Sequence, residues 1–366
     1  MEGSGCHTGC VSVDMNIHRT ATRSSTRKVA ALLLCGLFVA GLRPPAVAAN
    51  FASEYELLRQ WPTTTLSGLI TNTGVPDAQG FIGFHQREGK WIEAGMQRGG
   101  CWMLIGAVVA GDEKRADEAW RSIDATFARQ VKDGGFLSVR KPGVWHSPTR
   151  AERVETAFFY LQELGHAILV VQASPMAGHF HDRIEALKPR ISRACAFIQA
   201  NRKGIVKKVG YTANRLLIAA KAFGLCGKVL NDEDLKATSR ELVALALARR
   251  DADGVFIEKS GRDSSYNAVS ILMGQVLGFY QPDPALDAAL VQAMAWERTR
   301  IRPTGEVEVR GNTRTGVGKE AFMGHPKEVN YREVALALCY FGMIHDNPSD
   351  LALAEKVCAW ATRRGH

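Results

Sequence analysis

Three glycines, Gly204, Gly254 and Gly305, stand 50 and 51 residues apart, and each precedes a polar loop, a tyrosine and an apolar run with helical spacing. The tyrosines are Tyr211, Tyr266 and Tyr331, so the glycine-to-tyrosine separation grows from 7 to 12 to 26 residues. Near-equal spacing of similar units marks a repeat architecture, and loops that lengthen on one side of a rigid scaffold are where function tends to sit. The rest of the chain agrees with paired helices. Apolar residues recur at three- and four-residue steps over 96–110 and 113–130, 153–171 and 181–201, 211–223 and 233–249, 266–279 and 284–298, and 331–344 and 349–363, after an amphipathic stretch at 51–61. Strand-like alternation is confined to short pieces such as 305–310. The expected fold is all-α: an (α/α) toroid or incomplete toroid of about five to six helical hairpins, with short β-hairpin loops on one face. Apolar runs such as 268–279 and 333–343 would line its inside, and the more charged 113–130 and 233–249 would wrap it. An open helical solenoid is the rival arrangement.

The N-terminus reads as a secretory signal over residues 1–48. Arg19, Arg23, Arg27 and Lys28 precede an apolar run at 29–42 that Arg43-Pro44-Pro45 ends early, and Ala46-Val47-Ala48 supplies a small-residue cleavage site. Met15 is an alternative start. The expected product is a periplasmic or secreted chain, residues 49–366, forming one domain. No later segment reads as long and apolar enough to span a membrane. Removing the leader takes five of 46 basic and two of 37 acidic residues and leaves a net charge of +6. That balance suits an anionic partner, whereas the scattered basic residues and the absence of a binding motif argue against nucleic acid.

Five cysteines remain after the leader: Cys101, Cys195, Cys226, Cys339 and Cys358. None has metal-type spacing, most sit in apolar runs, and a Cys339–Cys358 bridge between the last two helices is conceivable. No metal and no cofactor are expected. His166 reads as a core histidine, and His179 and His181 find only Asp182 nearby in sequence.

Two polar stretches carry the chemistry. Residues 253–270 deliver Glu258, Arg262, Asp263, Tyr266 and Asn267 to the start of an apolar helix, where Asp263, Ser264 and Ser265 also suit an N-cap. Residues 306–333 hold Arg310, Asn312, Arg314, Lys319, His325, Tyr331 and Glu333, with four glycines between 311 and 324. A β-eliminating lyase needs a cationic or amide group to neutralise a uronate carboxylate, and a Tyr, His or Lys to move the proton. The candidates for catalysis are Tyr266, Asp263, Glu258, Tyr331 and His325. Those for substrate binding are Asn267, Arg262, Arg310, Asn312, Arg314, Lys319, Tyr211, Asn214, Glu333 and Trp91. A glycosidase would instead pair Asp263 or Glu258 with Glu93, Glu320 or Glu333. For Glu258 and Asp263 a salt bridge or helix cap is the competing reading.

The paired helices, the leader, and the D-G-x-F turns at 133–136 and 253–256 resemble the α/α-toroid proteins over about residues 94–364. That group holds polysaccharide lyases, six-hairpin glycosidases and terpenoid-cyclase relatives. Residues 130–136, QVKDGGF, are similar to the Q-W repeat of triterpene cyclases, but no Asp-rich initiation motif accompanies them. The resemblance implies a secreted polysaccharide-degrading enzyme, with a lyase acting on an acidic polymer favoured over a glycoside hydrolase. A non-catalytic carbohydrate-binding or assembly protein is the third reading. The implied partner is a polysaccharide or oligosaccharide, anionic by the charge balance.

Overall fold

The helices form where the apolar periodicity places them. The computed structural model describes residues 51–82, 85–86, 89–90, 93–137, 148–322 and 325–365. The leader at 1–48 and Trp91 lie outside the described residues. Short helices α1 (Glu54–Arg59) and α2 (Thr64–Thr71) come first. Five hairpins follow: α3 (Arg98–Ala110) with α4 (Glu113–Ala128), α5 (Arg150–Gln172) with α6 (Ala177–Gln199), α8 (Ala213–Leu230) with α9 (Glu233–Leu247), α10 (Ser264–Tyr280) with α11 (Pro284–Thr299), and α12 (Tyr331–Ile344) with α13 (Pro348–Arg363). The short α7 (Arg202–Val209) stands between the second and third. The fold is all-α. Among the described residues the strands are two antiparallel pairs, β1 (His85–Gln86) with β2 (Gly89–Lys90) and β3 (Ala321–Phe322) with β4 (His325–Pro326). The alternation at 305–310 yields one bridge, Ile301 to Val307, rather than a strand.

Sequence composition sorts the helices into two layers. In α8, 15 of 18 residues are buried, whereas α4 buries one stripe through Ala116, Ala119, Trp120, Ile123 and Phe127. The first member of each hairpin is the inner one. Helix α3 packs on α5, α5 on α8, α8 on α10 and α10 on α12, and α2 touches both α12 and α3, so the contacts run in a closed circuit. All of this belongs to one compact unit, Arg43–His366. Helix α5 corrects an expectation: it is long and apolar enough to cross a membrane, yet 89% of its apolar window is buried inside the fold. A helix flanked on most sides by other inner helices needs the same apolar surface that lipid would demand.

The glycine turns hold the outer layer together, but they are not the three read from spacing. Gly204 lies inside α7, so it opens no turn. The equivalent turns are at Gly134, Gly254 and Gly305, with φ of 90°, 83° and 90°. Each follows an outer helix, is closed by a single bridge (Gln130 to Phe136, Arg250 to Phe256, Ile301 to Val307), and presses its glycine onto the next outer helix, at Arg193, Gln292 and Lys356 respectively. Gln130 Nε2 donates to the carbonyls of Gly134 and Arg190 and so ties the first turn to α6. A Cβ at Gly305 would collide with the Lys356 backbone at a left-handed position. Gly305→Ala is therefore expected to destabilise the protein by at least ~2 kcal/mol, measured by urea unfolding, because strain and overpacking combine. All five cysteines are free, including Cys339 and Cys358, so the conceived bridge is not formed. Burial raises the Cys339 and Cys358 thiols, the latter to about 11.

Candidate active site

Inside the circuit of inner helices lies a cavity of about 600 Å³, walled by α3, α5, α8, α10, α12 and the segment from Thr73 to Ile82. Its charged groups come from three helices and, with Asp77, from that segment, where Asp77 Oδ1 accepts from the backbone nitrogens of Gln79 and Phe81. Arg98, the first residue of α3, donates from Nη1 to the Gly95 carbonyl at 2.7 Å and lies 5.8 Å from the Phe159 ring centroid. Arg332, in the first turn of α12, donates from Nε and Nη2 to the Leu69 carbonyl at 3.0 and 2.7 Å, with its guanidinium 4.7 Å from the Trp102 ring centroid. The two aromatic residues thus fix two guanidinium groups against the wall. Beside Arg332, the carboxyl of Glu333 makes no hydrogen bond or ion pair with a described residue. Burial raises its pKa, and Arg98 and Arg332 oppose that rise.

Beneath the cavity runs a fully buried chain of charges. Glu163 Oε2 receives Lys221 Nζ at 3.1 Å and faces His166 Nδ1 at 3.2 Å. His166 Nε2 faces Glu54 Oε1 at 2.8 Å, and the Tyr340 hydroxyl donates to the same oxygen at 2.5 Å. Both ring nitrogens of His166 meet carboxylate oxygens, an arrangement that two N–H donors satisfy and a neutral ring does not. Burial alone would lower the His166 pKa, and the Glu54 and Glu163 carboxylates outweigh it and raise it. Burial likewise pushes Glu163 up, and Lys221 and His166 hold it well below the ordinary carboxylate range. Glu54 is lowered in the same way, with His166 overcoming its burial.

The residues singled out from sequence fall elsewhere, with one exception. Glu333 lines the cavity. Asp263, Glu258, Tyr266, Arg314, Asn312 and Asn214 do come together, as a buried cluster at the N-terminal ends of α8 and α10. Asp263 caps α10 through Tyr266 N and also accepts from the backbone nitrogens of Arg314 and Thr315, both at 2.8 Å. Glu258 accepts from Asn214 N and from Arg314 Nη1, each at 2.8 Å, and burial raises it to about 7 against those two donors. The Arg314 guanidinium covers the Tyr266 ring at 3.8 Å, and burial pushes that phenol to about 12. Asn312 bonds Ser264 and Thr315. These polar contacts are mutual, so the cluster anchors the loop of residues 311–327 to the starts of the inner helices, and none of its members lines the cavity.

The remaining residues are dispersed. Asn267 reaches Phe256 N and the carboxyl of Glu297, which burial raises to about 8. Arg262 pairs with Asp251 and Asp253. Arg310, Lys319, His325 and Tyr211 are exposed, and the Arg310 side chain is 88% accessible. The hydroxyl of Tyr331 accepts from Trp360 of outer helix α13 at 3.1 Å. The three tyrosines of the repeat, Tyr211, Tyr266 and Tyr331, thus do not share a site, because Tyr331 turns to the outer layer and Tyr211 to solvent. His179 meets carboxylates from α4 that its own sequence neighbours did not suggest. Ligand atoms of Glu113, Asp117 and His179 lie within 4.8 Å of one another at the surface, where Arg183 already neutralises Asp117 at 2.6 Å.

Arg98, Glu163, His166, Lys221, Arg332 and Glu54 were not among the predicted site residues. The available signal was charge inside apolar runs: Glu163 and His166 within α5, and Lys221 within α8.

No protein-family model matches the chain, and no curated protein sequence matches it. Among solved structures it is similar to a sugar epimerase from a ruminal bacterium, at 12% identity and a TM-score of 0.48, over 80% of this chain and 85% of that one. It is also similar to a novel alpha-amylase from Clostridium perfringens, at 13% identity and a TM-score of 0.43, over 82% of this chain and 85% of that one.

Proposed function

We propose that the chain is a carbohydrate-processing enzyme that works in the central cavity, cleaving a uronate-containing polysaccharide by β-elimination. The observation that carries this reading is the set of charged groups lining the cavity: two guanidinium groups, one carboxyl without a partner, and two carboxylates already committed, Glu163 to Lys221 and His166 and Asp77 to the backbone nitrogens of Gln79 and Phe81. Elimination needs that set. Arg98 and Arg332 neutralise the uronate carboxylate and so acidify the proton on the adjacent carbon. Glu333, ionised, takes that proton, since a carboxyl raised by burial is a stronger base than an ordinary one. The bond to the leaving oxygen breaks as the ring double bond forms, and the proton passes from Glu333 to that oxygen. Residues 1–48, read as a secretory leader, fit a polymer met outside the cytoplasm, and the closed circuit of inner helices fits the toroid reading.

Hydrolysis is the second reading, and one observation favours it: Glu163 also lines the cavity, giving an ionised and a raised carboxyl in one site. Lys221 and His166 occupy Glu163 Oε2, which leaves it poorly placed to attack a sugar carbon or activate water.

The test uses the purified chain from residue 49 against polyuronates, glycosaminoglycans and neutral glucans, with ultraviolet absorbance and reducing ends read together. Both signals should rise together on an acidic polymer. Reducing ends without the absorbance of an unsaturated uronate would replace elimination by hydrolysis. Binding with neither signal would make the chain a carbohydrate-binding protein.

A further inference from the structure

The buried chain of charges begins on α1, a six-residue helix close to the N-terminal end of the described residues. Its first residue, Glu54, is fully buried although α1 lies outside the five hairpins. Glu54 Oε1 receives His166 and Tyr340, His166 faces Glu163, and Glu163 receives Lys221 and reaches the cavity wall. Burying four ionisable side chains costs several kcal/mol each unless they are paired. A merely structural contact at this place would be met by apolar residues. Here the pairs are arranged in sequence, carboxylate, imidazolium, carboxylate, ammonium, and the last carboxylate lines the same cavity as Glu333.

We propose that Glu54, His166 and Lys221 are positioning residues, holding a fixed negative charge at Glu163 so that Glu333 is the group that exchanges a proton with the ligand. The proposal rests on the reading of Glu333 given above. The charged groups that bear on Glu333 are Arg98 from α3, Glu163 from α5, Lys221 from α8 and Arg332 on its own helix, while Asp77 of the 73–82 segment lines the same cavity with its Oδ1 held by the backbone nitrogens of Gln79 and Phe81. From α10 the cavity receives Val269, Leu272 and Met273, which carry no charge. Among the described groups that bear on Glu333, Glu163 is the like charge, and a like charge favours the protonated form of Glu333.

Carboxyl-labelled glutamate and ring-labelled histidine in the chain from residue 49 allow each group to be titrated by NMR without a substrate. Glu333→Gln assigns the Glu333 resonance. In the wild type, Glu163 should stay ionised and His166 protonated at pH 6.5, and a neutral His166 or a protonated Glu163 there would overturn the proposal. In Glu163→Gln, the Glu333 midpoint should fall by roughly one pH unit, as a nearby like charge is lost. An unmoved midpoint would overturn it. In Glu54→Gln, the His166 midpoint should fall, and a folded variant in which it does not would exclude Glu54 from the network. None of these readings depends on turnover. A protein that titrates as expected but cleaves no polymer would leave the network standing and remove the enzymatic reading alone.

Discussion

Replacing Lys221 by methionine is expected to lower the free energy of unfolding by roughly 3–5 kcal/mol, because breaking one partner of a buried ion pair strands the other. Lys221 is fully buried, and its ammonium lies 3.1 Å from Glu163 Oε2. Methionine keeps the length of the side chain and its apolar stem, so the loss measures charge rather than a cavity. The double variant Lys221→Met with Glu163→Gln should recover a large part of the loss, since removing both charges also removes their desolvation. Urea unfolding of the four proteins at pH 7 gives the coupling directly. A single-variant loss under about 1 kcal/mol would show that the pair is solvated or that its charge is carried elsewhere.

The same network fixes the pH signature of stability. Glu163 and Glu54 are held below their ordinary 4.5, so their contribution is present above that value and is lost as pH falls through the folded values. His166 is raised above 6.5, so its contribution is complete below 6.5 and is lost as pH rises through its folded value. Stability from this source peaks between the two. The Lys221→Met deficit should therefore narrow toward acid, where Glu163 in the variant can take up a proton.

Much of the fold could be read from sequence, and little of the site. Helix pairs were legible because an inner helix such as α8 is apolar all round, while an outer one such as α4 carries a single stripe, and that contrast is local. The turn at Asp253-Gly254 was legible for a related reason: a left-handed position beside an aspartate leaves a short motif. Gly204 misled because even spacing is not conformation, and its neighbours Arg202, Lys203 and Ile205 continue a helix. The loop cluster drew attention by its polarity, and polarity has two causes. Asp263 is rich in partners because it caps α10 and clamps Arg314 and Thr315, which is the work of a fold rather than of a reaction. The cavity groups were hidden by distance along the chain. Glu54 and His166 stand 112 positions apart, and Tyr340 lies 286 from Glu54. No local window joins them. What a local window does hold is the anomaly of Glu163, His166 and Lys221 inside apolar helices, where an unpaired charge would be too costly to keep.

Glu333→Gln is expected to reduce turnover by ~10²–10⁴-fold on whichever acidic polymer proves to be the substrate, the range typical of losing a general acid or base. The amide keeps the shape and polarity of the side chain, so KM should change little. Arg98→Ala should act differently: it removes a guanidinium from the cavity wall and should raise KM for an acidic polymer. Tyr266→Phe separates this placement of the chemistry from the loop cluster. Its ring lies under Arg314 outside the cavity lining, so loss of the hydroxyl should leave turnover within about 3-fold of wild type, the scale of an indirect effect rather than of a lost proton-transfer group. Steady-state kinetics on the three variants gives opposed patterns for the two placements. If Tyr266→Phe abolished turnover while Glu333→Gln retained it, proton transfer would belong to the cluster of Glu258, Tyr266 and Arg314, and the cavity would serve binding alone.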